Sequence, residues 1–419
     1  MNDALLSFEQ AAAVVAARAH ELCPGKPAAV RIDLASAVGC VLAESLRADR
    51  DQPPFARSTR DGFACRAAEA AAQEPLAIAG ATRAGDAPAG PLLPGTAWEI
   101  MTGAPVPAGA DAVVMVEHVE AAGTQIRLQP SRKVAPGENI VAQGEDARAG
   151  DELVPEGTRL GPAHIALAAA CGYSTLSVYA RPRVALLSTG DELVPVEASP
   201  GPGQIRNSNG PMLAALVAAA GGEPCLLPPA PDDAEALDAA LGRAARTDLL
   251  LITGGVSVGK FDLVEEALAR AGARFHFTGV RIQPGKPVVF GELPRSGRTA
   301  DGERIQPFFG LPGNPISSAV TFLLFAATTL AALAGNRERN PRFALARLSK
   351  DCKGKPGLTR FVPAFCTFSP PYGQIPEVAA VGWSGSGDLA AFARSNCLLV
   401  VPEDADKLES GAIVRILLL

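Results

Sequence analysis

Asp248-Leu-Leu-Leu-Ile-Thr-Gly-Gly-Val-Ser-Val-Gly-Lys-Phe-Asp262 decides the fold. Its first part, Asp248–Ile252, is a near-continuous apolar run, the pattern of a strand buried on both faces. A glycine loop follows, and Asp262–Ala271 reads as a helix. Strand, loop and helix in succession make one step of a parallel α/β unit. The same order recurs on either side. Arg183–Leu187 is an apolar strand, followed by Ser188-Thr-Gly-Asp-Glu-Leu193 and a helix opening near Asn209-Gly-Pro211. Pro211 suits a first helical turn, where its missing N–H costs nothing. Asp232–Arg246 reads as a helix, and Val288–Phe290 and Pro307–Phe309 as strands. Gly310-Leu-Pro-Gly-Asn-Pro315 then leads into a long buried helix, Pro315–Leu333. Residues 183–335 are therefore expected to form a doubly wound, mostly parallel α/β domain.

Working outward, Ser7-Phe-Glu-Gln10 is a capping box that opens an Ala-rich helix to about Leu22. From Asp51 to Asp146, short β-prone runs alternate with Pro/Gly turns, which predicts an inserted β-rich domain over residues 51–146. The insertion splits its host into residues 1–50 plus 147–182, the second part carrying an Ala-rich helix near Ala163–Cys171. After Gly335 comes a polar break, Asn336-Arg-Glu-Arg-Asn-Pro341. The remainder, 336–419, shows short strands and no convincing helix, so a small C-terminal β-barrel is expected.

Composition narrows the function. Among 419 residues, Gly 42 and Pro 36 exceed the usual share without reaching disorder, and the net charge is −6. No Lys/Arg-rich stripe is present, which argues against nucleic acid as a partner. Eight cysteines without a C-x-x-C pair, and four histidines without a paired array, argue against zinc and fit free thiols. The start, Met-Asn-Asp, lacks a basic leader, and the apolar run Ala319–Ala334 falls short of the ~20 residues that span a bilayer. The expected location is cytoplasmic, with no membrane partner.

Ligands of open parallel sheets bind beyond the carboxyl ends of the strands. Three loops here leave such ends: Ser188–Leu193, Thr253–Asp262 and Gly310–Pro315. Gly254, Gly255 and Gly259 let backbone N–H groups approach an anion at the next helix, and Ser257 adds a hydroxyl. Gly254 to Lys260 also fits G-x-x-x-x-G-K, yet Phe261 stands where a P-loop needs a Mg²⁺-binding Ser or Thr, so a P-loop NTPase fails at its metal step. Asp262 offers an N-cap or a Mg²⁺ ligand, and Asp191 and Glu192 offer capping, metal ligation or a water-activating base. Lys286, restrained within Gln283-Pro-Gly-Lys-Pro287, is placed to neutralise an oxyanion.

Further pieces lie in the inserted domain. Together Asp61-Gly-Phe-Ala64, Met101-Thr-Gly-Ala-Pro-Val-Pro107, Gly144-Glu-Asp146, Ser188–Leu193, Gly254–Gly259 with Asp262, Pro284-Gly-Lys-Pro287 and Leu311-Pro-Gly-Asn-Pro315 resemble the molybdopterin molybdenumtransferase family, of the MoeA and gephyrin E-domain type. Each piece is short, but the ordered set runs through most of the chain and is specific. The resemblance implies four domains per subunit and an elongated homodimer. It implies Mg²⁺-dependent insertion of molybdenum from molybdate into adenylylated molybdopterin, releasing AMP and molybdenum cofactor. The implied catalytic residues are Asp61, Thr102, Glu192 and Asp262, with Glu192 and Asp262 as metal ligands. Gly254, Gly255, Ser257, Gly259, Lys286, Pro312 and Asn314 are implied substrate-binding residues.

The resemblance further implies that the inserted domain faces the other subunit's pocket, and that the upstream molybdopterin adenylyltransferase is a partner. Three segments depart from the family pattern. Arg60 replaces a common methionine, Gln283 replaces the first lysine of Lys-Pro-Gly-Lys, and Val141-Ala-Gln143 replaces basic residues. The charges lost at Gln283 and Val141–Gln143, for one of which Arg60 can compensate, keep open a non-catalytic pterin- or nucleotide-binding scaffold and a tungstate-preferring variant.

Overall fold

The computed structural model describes residues 5–22, 27–87, 90–255, 263–299, 302–368 and 373–419. The capping box forms as read. Ser7 Oγ accepts from the Gln10 N–H, Gln10 Oε1 accepts from the Ser7 N–H, and helix α1 (Phe8–Glu21) follows.

The apolar runs supply the middle of a six-stranded sheet. Its strands are β1 (Arg183–Ser188), β2 (Glu223–Leu226), β3 (Leu249–Thr253), β4 (Arg274–Thr278), β5 (Val289–Thr299) and β6 (Gly302–Leu311). Their spatial order is β2-β1-β3-β6-β5-β4. β2, β1, β3 and β6 run parallel, while β5 and β4 are antiparallel additions. The expectation of a mostly parallel sheet holds, but Val288–Phe290 belongs to the antiparallel part, as one arm of a hairpin with β6.

Alternation along β1 and β3 explains why both are apolar throughout. Leu186, Leu249 and Leu251 face one core with helices α2 (Asn209–Ala219) and α5 (Pro315–Leu333), whereas Ala185, Leu187, Leu250 and Ile252 face another with α3 (Ala234–Ala244) and α4 (Leu263–Arg270). α5 has the bounds expected of the long buried helix, but the expected shortfall of its apolar run for spanning a bilayer does not hold. It begins at Pro315, and its 19 residues are long and apolar enough to cross a membrane. Yet most of it is packed inside the first core, with a wider π turn at Phe322–Ala326. Burial, not shortness, makes it a core helix.

The C-terminal strands Phe343–Leu348, Thr359–Thr367, Glu377–Ala380, Cys397–Val401 and Ile413–Leu418 close into a five-stranded barrel. One short helix, Leu389–Ala393, was not expected; Asp388 caps it by accepting from the Ala391 N–H. Ile282–Gln283, from the loop between β4 and β5, adds a parallel pair to the barrel strand Thr359–Thr367.

In the inserted region, a six-stranded sheet joins Ala112–Met115, Gly62–Cys65, Thr96–Ile100, Leu76–Thr82, Gln125–Leu128 and Val119–Ala122 in that order. Its flanks are tied together by Ala29–Asp33 against Thr175–Tyr179 and by Leu46–Arg47 against Glu152–Val154. α1 does not join them. Phe8 packs its ring on Phe361 of the barrel at 5.4 Å and on Phe325 of α5 at 6.2 Å. Further along, Arg18 donates to the buried carboxylate of Glu292 on β5 at 2.6 and 2.8 Å.

Candidate active site

β1, β3 and β6 all end at one edge of the sheet, so the loops leaving them are neighbours. Buried hydroxyls stitch the strand ends together: Thr253 Oγ1 donates to Ser188 Oγ at 3.2 Å, and Ser188 Oγ donates to Asn207 Oδ1 at 3.2 Å. The Thr189 N–H donates to the Thr253 carbonyl at 2.8 Å. Gly254 then turns at φ +89°, and a Cβ there would lie 2.4 Å from the Thr189 carbonyl oxygen. Only glycine fits this crossing. Gly255 is equally crowded, since an added Cβ would sit 2.5 Å from Val264 Cγ2.

The third loop closes on the second. A Cβ on Gly313 would be 3.7 Å from Gly254 Cα, and Asn209 Nδ2 donates to the Gly313 carbonyl at 2.7 Å. Pro312 is buried, and its carbonyl accepts from the Ser318 hydroxyl on α5. Asn314 caps α5 through its backbone alone, so its exposed amide side chain remains for a ligand. Lys286 arrives from the antiparallel side. β5 starts where β6 ends, with Val289 opposite Gly310, and this places exposed Lys286 at the same edge.

The first loop carries the acids. Glu192 folds back over Gly190, whose would-be Cβ lies 2.5 Å from Glu192 Oε2. Asp191 Oδ1 accepts from the Asp232 N–H at 3.1 Å. Partial burial first, and then the charges of Asp191 and Glu192, push the Asp232 carboxyl above its ordinary range. Asp232 thus joins the site although sequence reading placed it only at a helix start. Among the described residues, no group of three His, Cys, Asp or Glu is arranged to hold a metal. Ser257, Gly259 and Asp262 lie outside the described residues.

Asp61 and Thr102 meet in the inserted domain. Asp61 Oδ1 accepts from the Thr102 N–H at 2.6 Å and from its hydroxyl at 2.7 Å. The N–H bond first and the hydroxyl bond second hold this exposed carboxyl below its ordinary range, against slight desolvation. Among the described residues, no hydrogen bond or ion pair joins this pair to the sheet-edge loops. The nearby departures have local partners: Gln143 Nε2 donates to Asp51 Oδ2 at 3.0 Å, and the Arg60 N–H donates to Ser58 Oγ at 3.1 Å.

Comparison with known proteins gives one answer along the whole chain. Three family models match in succession: the MoeA N-terminal region (domain I and II) over residues 6–172, a probable molybdopterin binding domain over 185–332, and the MoeA C-terminal region (domain IV) over 345–419. A molybdopterin molybdenumtransferase of Nostoc sp. is 35% identical over 400 residues, covering 92% of this chain and 88% of its own. The protein of the same name from Bacillus subtilis is 35% identical over 388 residues, with 90% and 87% covered. Among solved structures, a molybdopterin biosynthesis MoeA protein from Pyrococcus horikoshii superposes with a TM-score of 0.73 at 30% identity over 99% of both chains. A molybdopterin biosynthesis MoeA protein from Pyrococcus horikoshii OT3 gives 0.78 at 27% identity over 99% of this chain and 100% of its own.

Proposed function

The chain belongs to the molybdopterin molybdenumtransferase family, enzymes that insert molybdenum during molybdenum cofactor synthesis, and we propose a finer course for its own reaction. Adenylylated molybdopterin lies along the edge of the central sheet, molybdate meets its dithiolene sulfurs there, and the phosphoanhydride is cleaved to release AMP and molybdenum cofactor. The observation that carries this reading is the closure of Gly254 on Thr189 and of Gly313 on Gly254, which makes one crevice from three loops.

Both substrates are anions, so the crevice must offer donors. Gly254, Gly255, Ser257 and Gly259 are read as presenting backbone N–H and hydroxyl donors to the pterin phosphate, with Lys286 as the cation and Asn314 as an amide partner. Pro312 shapes the wall beneath them. Glu192, the neighbour whose charge helps hold Asp232 protonated to higher pH, takes the catalytic carboxylate role with Asp262.

Mg²⁺ suits this donor set chemically, because Glu192, Asp262 and Asp232 are hard oxygen donors; partial burial first, and then the charges of Asp191 and Glu192, raise the Asp232 carboxyl, and a cation would relieve the second of these causes. When bound, the ion would neutralise charge on the phosphoanhydride oxygens.

Asp61 and Thr102 belong to the same reading as a preformed pair contributed across a homodimer to the partner's crevice. Their exposure and mutual satisfaction support it. The domain plan is 1–50 plus 147–182, 51–146, 183–335 and 336–419; separate sheets in the inserted, central and C-terminal segments support it, with α1 lending its apolar face to the central and C-terminal units. A cytoplasmic enzyme that receives its substrate from the upstream adenylyltransferase completes the proposal.

The test is turnover. Purified protein, adenylylated molybdopterin, molybdate and Mg²⁺ should yield AMP and active cofactor. Pterin binding without AMP release at any molybdate concentration would reduce the protein to a scaffold.

A further inference from the structure

The crevice lies beyond the carboxyl ends of β1, β3 and β6, and a second cavity opens at the other end of the same sheet. It holds about 310 Å³ between α3, α4 and the β5–β6 hairpin. That volume lies at the lower end of the range that takes small molecules. Leu241, Ala245, Ala271, Leu293 and Pro294 give it apolar walls, and none of them belongs to the crevice.

One lining residue is polar and buried. Gln306 of β6 is 1% exposed, and its amide reaches the turn that joins α3 to β3. There Nε2 donates to the Ala244 and Thr247 carbonyls, each at 2.8 Å. Carbonyls only accept, so these two fix which end of the amide is nitrogen. Among the described residues no donor reaches Oε1, which is not sealed from solvent. An acceptor at so buried a residue is costly to leave unmet, and the cavity is the space from which a donor can come.

Gly242 lines the same cavity, and nothing in the packing requires glycine there. It sits inside α3, its φ is not left-handed, and a Cβ on it would meet nothing within 4 Å. Glycine weakens a helix interior relative to alanine, so here it costs stability without relieving a clash. Its effect is to leave the cavity clear. At the rim Arg270 Nη2 pairs with Asp238 Oδ1 at 2.9 Å, so the two charges offset one another and favour neither sign of ligand.

We propose that this cavity binds a neutral, largely apolar small molecule bearing an N–H donor, such as a nitrogen heterocycle, with Gln306 Oε1 receiving the donor. The apolar walls cover the body of the molecule and the single acceptor orients it. Because the cavity is remote from the crevice, its occupancy is independent of the reaction proposed above.

NMR titration of the ¹⁵N-labelled full chain tests this, with indole as the probe and 1-methylindole, which lacks the N–H, as its control. Indole should bind saturably with a Kd of about 1 mM, ordinary for a fragment of its size, and should shift the Gln306 side-chain amide resonances. 1-Methylindole should bind about fivefold more weakly, the scale of one lost hydrogen bond. Gly242→Leu, and Ala271→Leu from the α4 side, should each abolish saturable binding without lowering the melting temperature. The melting temperature of Gly242→Leu should rise. No saturable binding of indole up to about 10 mM, equal affinity for the two probes, or binding retained in the filled variants would each overturn the proposal.

Discussion

The sheet edge and the Asp61–Thr102 pair are built in opposite ways. Asp61 finds both its donors on a single residue, and the two lie on adjacent turns of one small sheet. The sheet edge has no such local completeness. Thr189, Gly254 and Gly313 come from three loops, and their contact exists only because β1, β3 and β6 stand side by side. A site of the first kind tolerates changes to the fold around it but little change to itself. A site of the second kind is as sensitive to its glycines as to its acids.

Gly254→Ala should break that comparison hardest. It combines a left-handed backbone with a Cβ 2.4 Å from the Thr189 carbonyl oxygen, so the loop must move. We expect a loss of at least about 3 kcal/mol in denaturant unfolding, on the scale of combined strain and overpacking, together with loss of AMP release. Gly411→Ala is the control: its φ is also +89° but nothing lies within 4 Å, so only about 1 kcal/mol should be lost and turnover kept.

Asp61→Asn should show the reverse signature. The exposed pair supports no core, so turnover should fall about a hundredfold with no change in melting temperature, measured on the same preparation. A matching fall in stability would show the pair to be structural.

Smaller effects follow from the carboxyls. Asp232 is raised, so its ionised form is disfavoured by folding. That penalty is absent below pH 3.8 and grows as pH rises through the folded value. Asp232→Asn should therefore raise the melting temperature at neutral pH and not at pH 3, by calorimetry. Glu192→Gln should shift the Asp232 titration downward by NMR, and millimolar Mg²⁺ should do the same in the wild type. The smallest effect concerns Asp61, whose folded value is lowered. Its contribution is present above pH 3.8 and lost as pH falls through the folded value, and Thr102→Val should return its NMR titration toward 3.8.

The same contrast explains what could be read from the chain. Arg183–Leu187 and Asp248–Ile252 announced themselves because burial on both faces leaves no polar positions to confuse the pattern. Glu223–Leu226 and Arg274–Thr278 did not, since these edge strands have exposed ends and mostly half-buried middles, and their short runs resemble loops. β5 was read as three residues because its continuation beyond Glu292 is polar and proline-broken. Within the site, the tight turn at Gly254 and Gly255 was legible from two glycines directly after an apolar strand. Asp232 was not, because its role comes from meeting Asp191 across two strand ends.

α1 carries a consequence for how the protein is made. Phe8 emerges early from the ribosome, yet its ring partners are Phe325, Phe343 and Phe361. At roughly 5–20 residues per second, the amphipathic helix waits on the order of tens of seconds before the residues that cover it exist. Until then its apolar stripe has none of these ring partners to cover it, and its docking packs it on both α5 and the barrel.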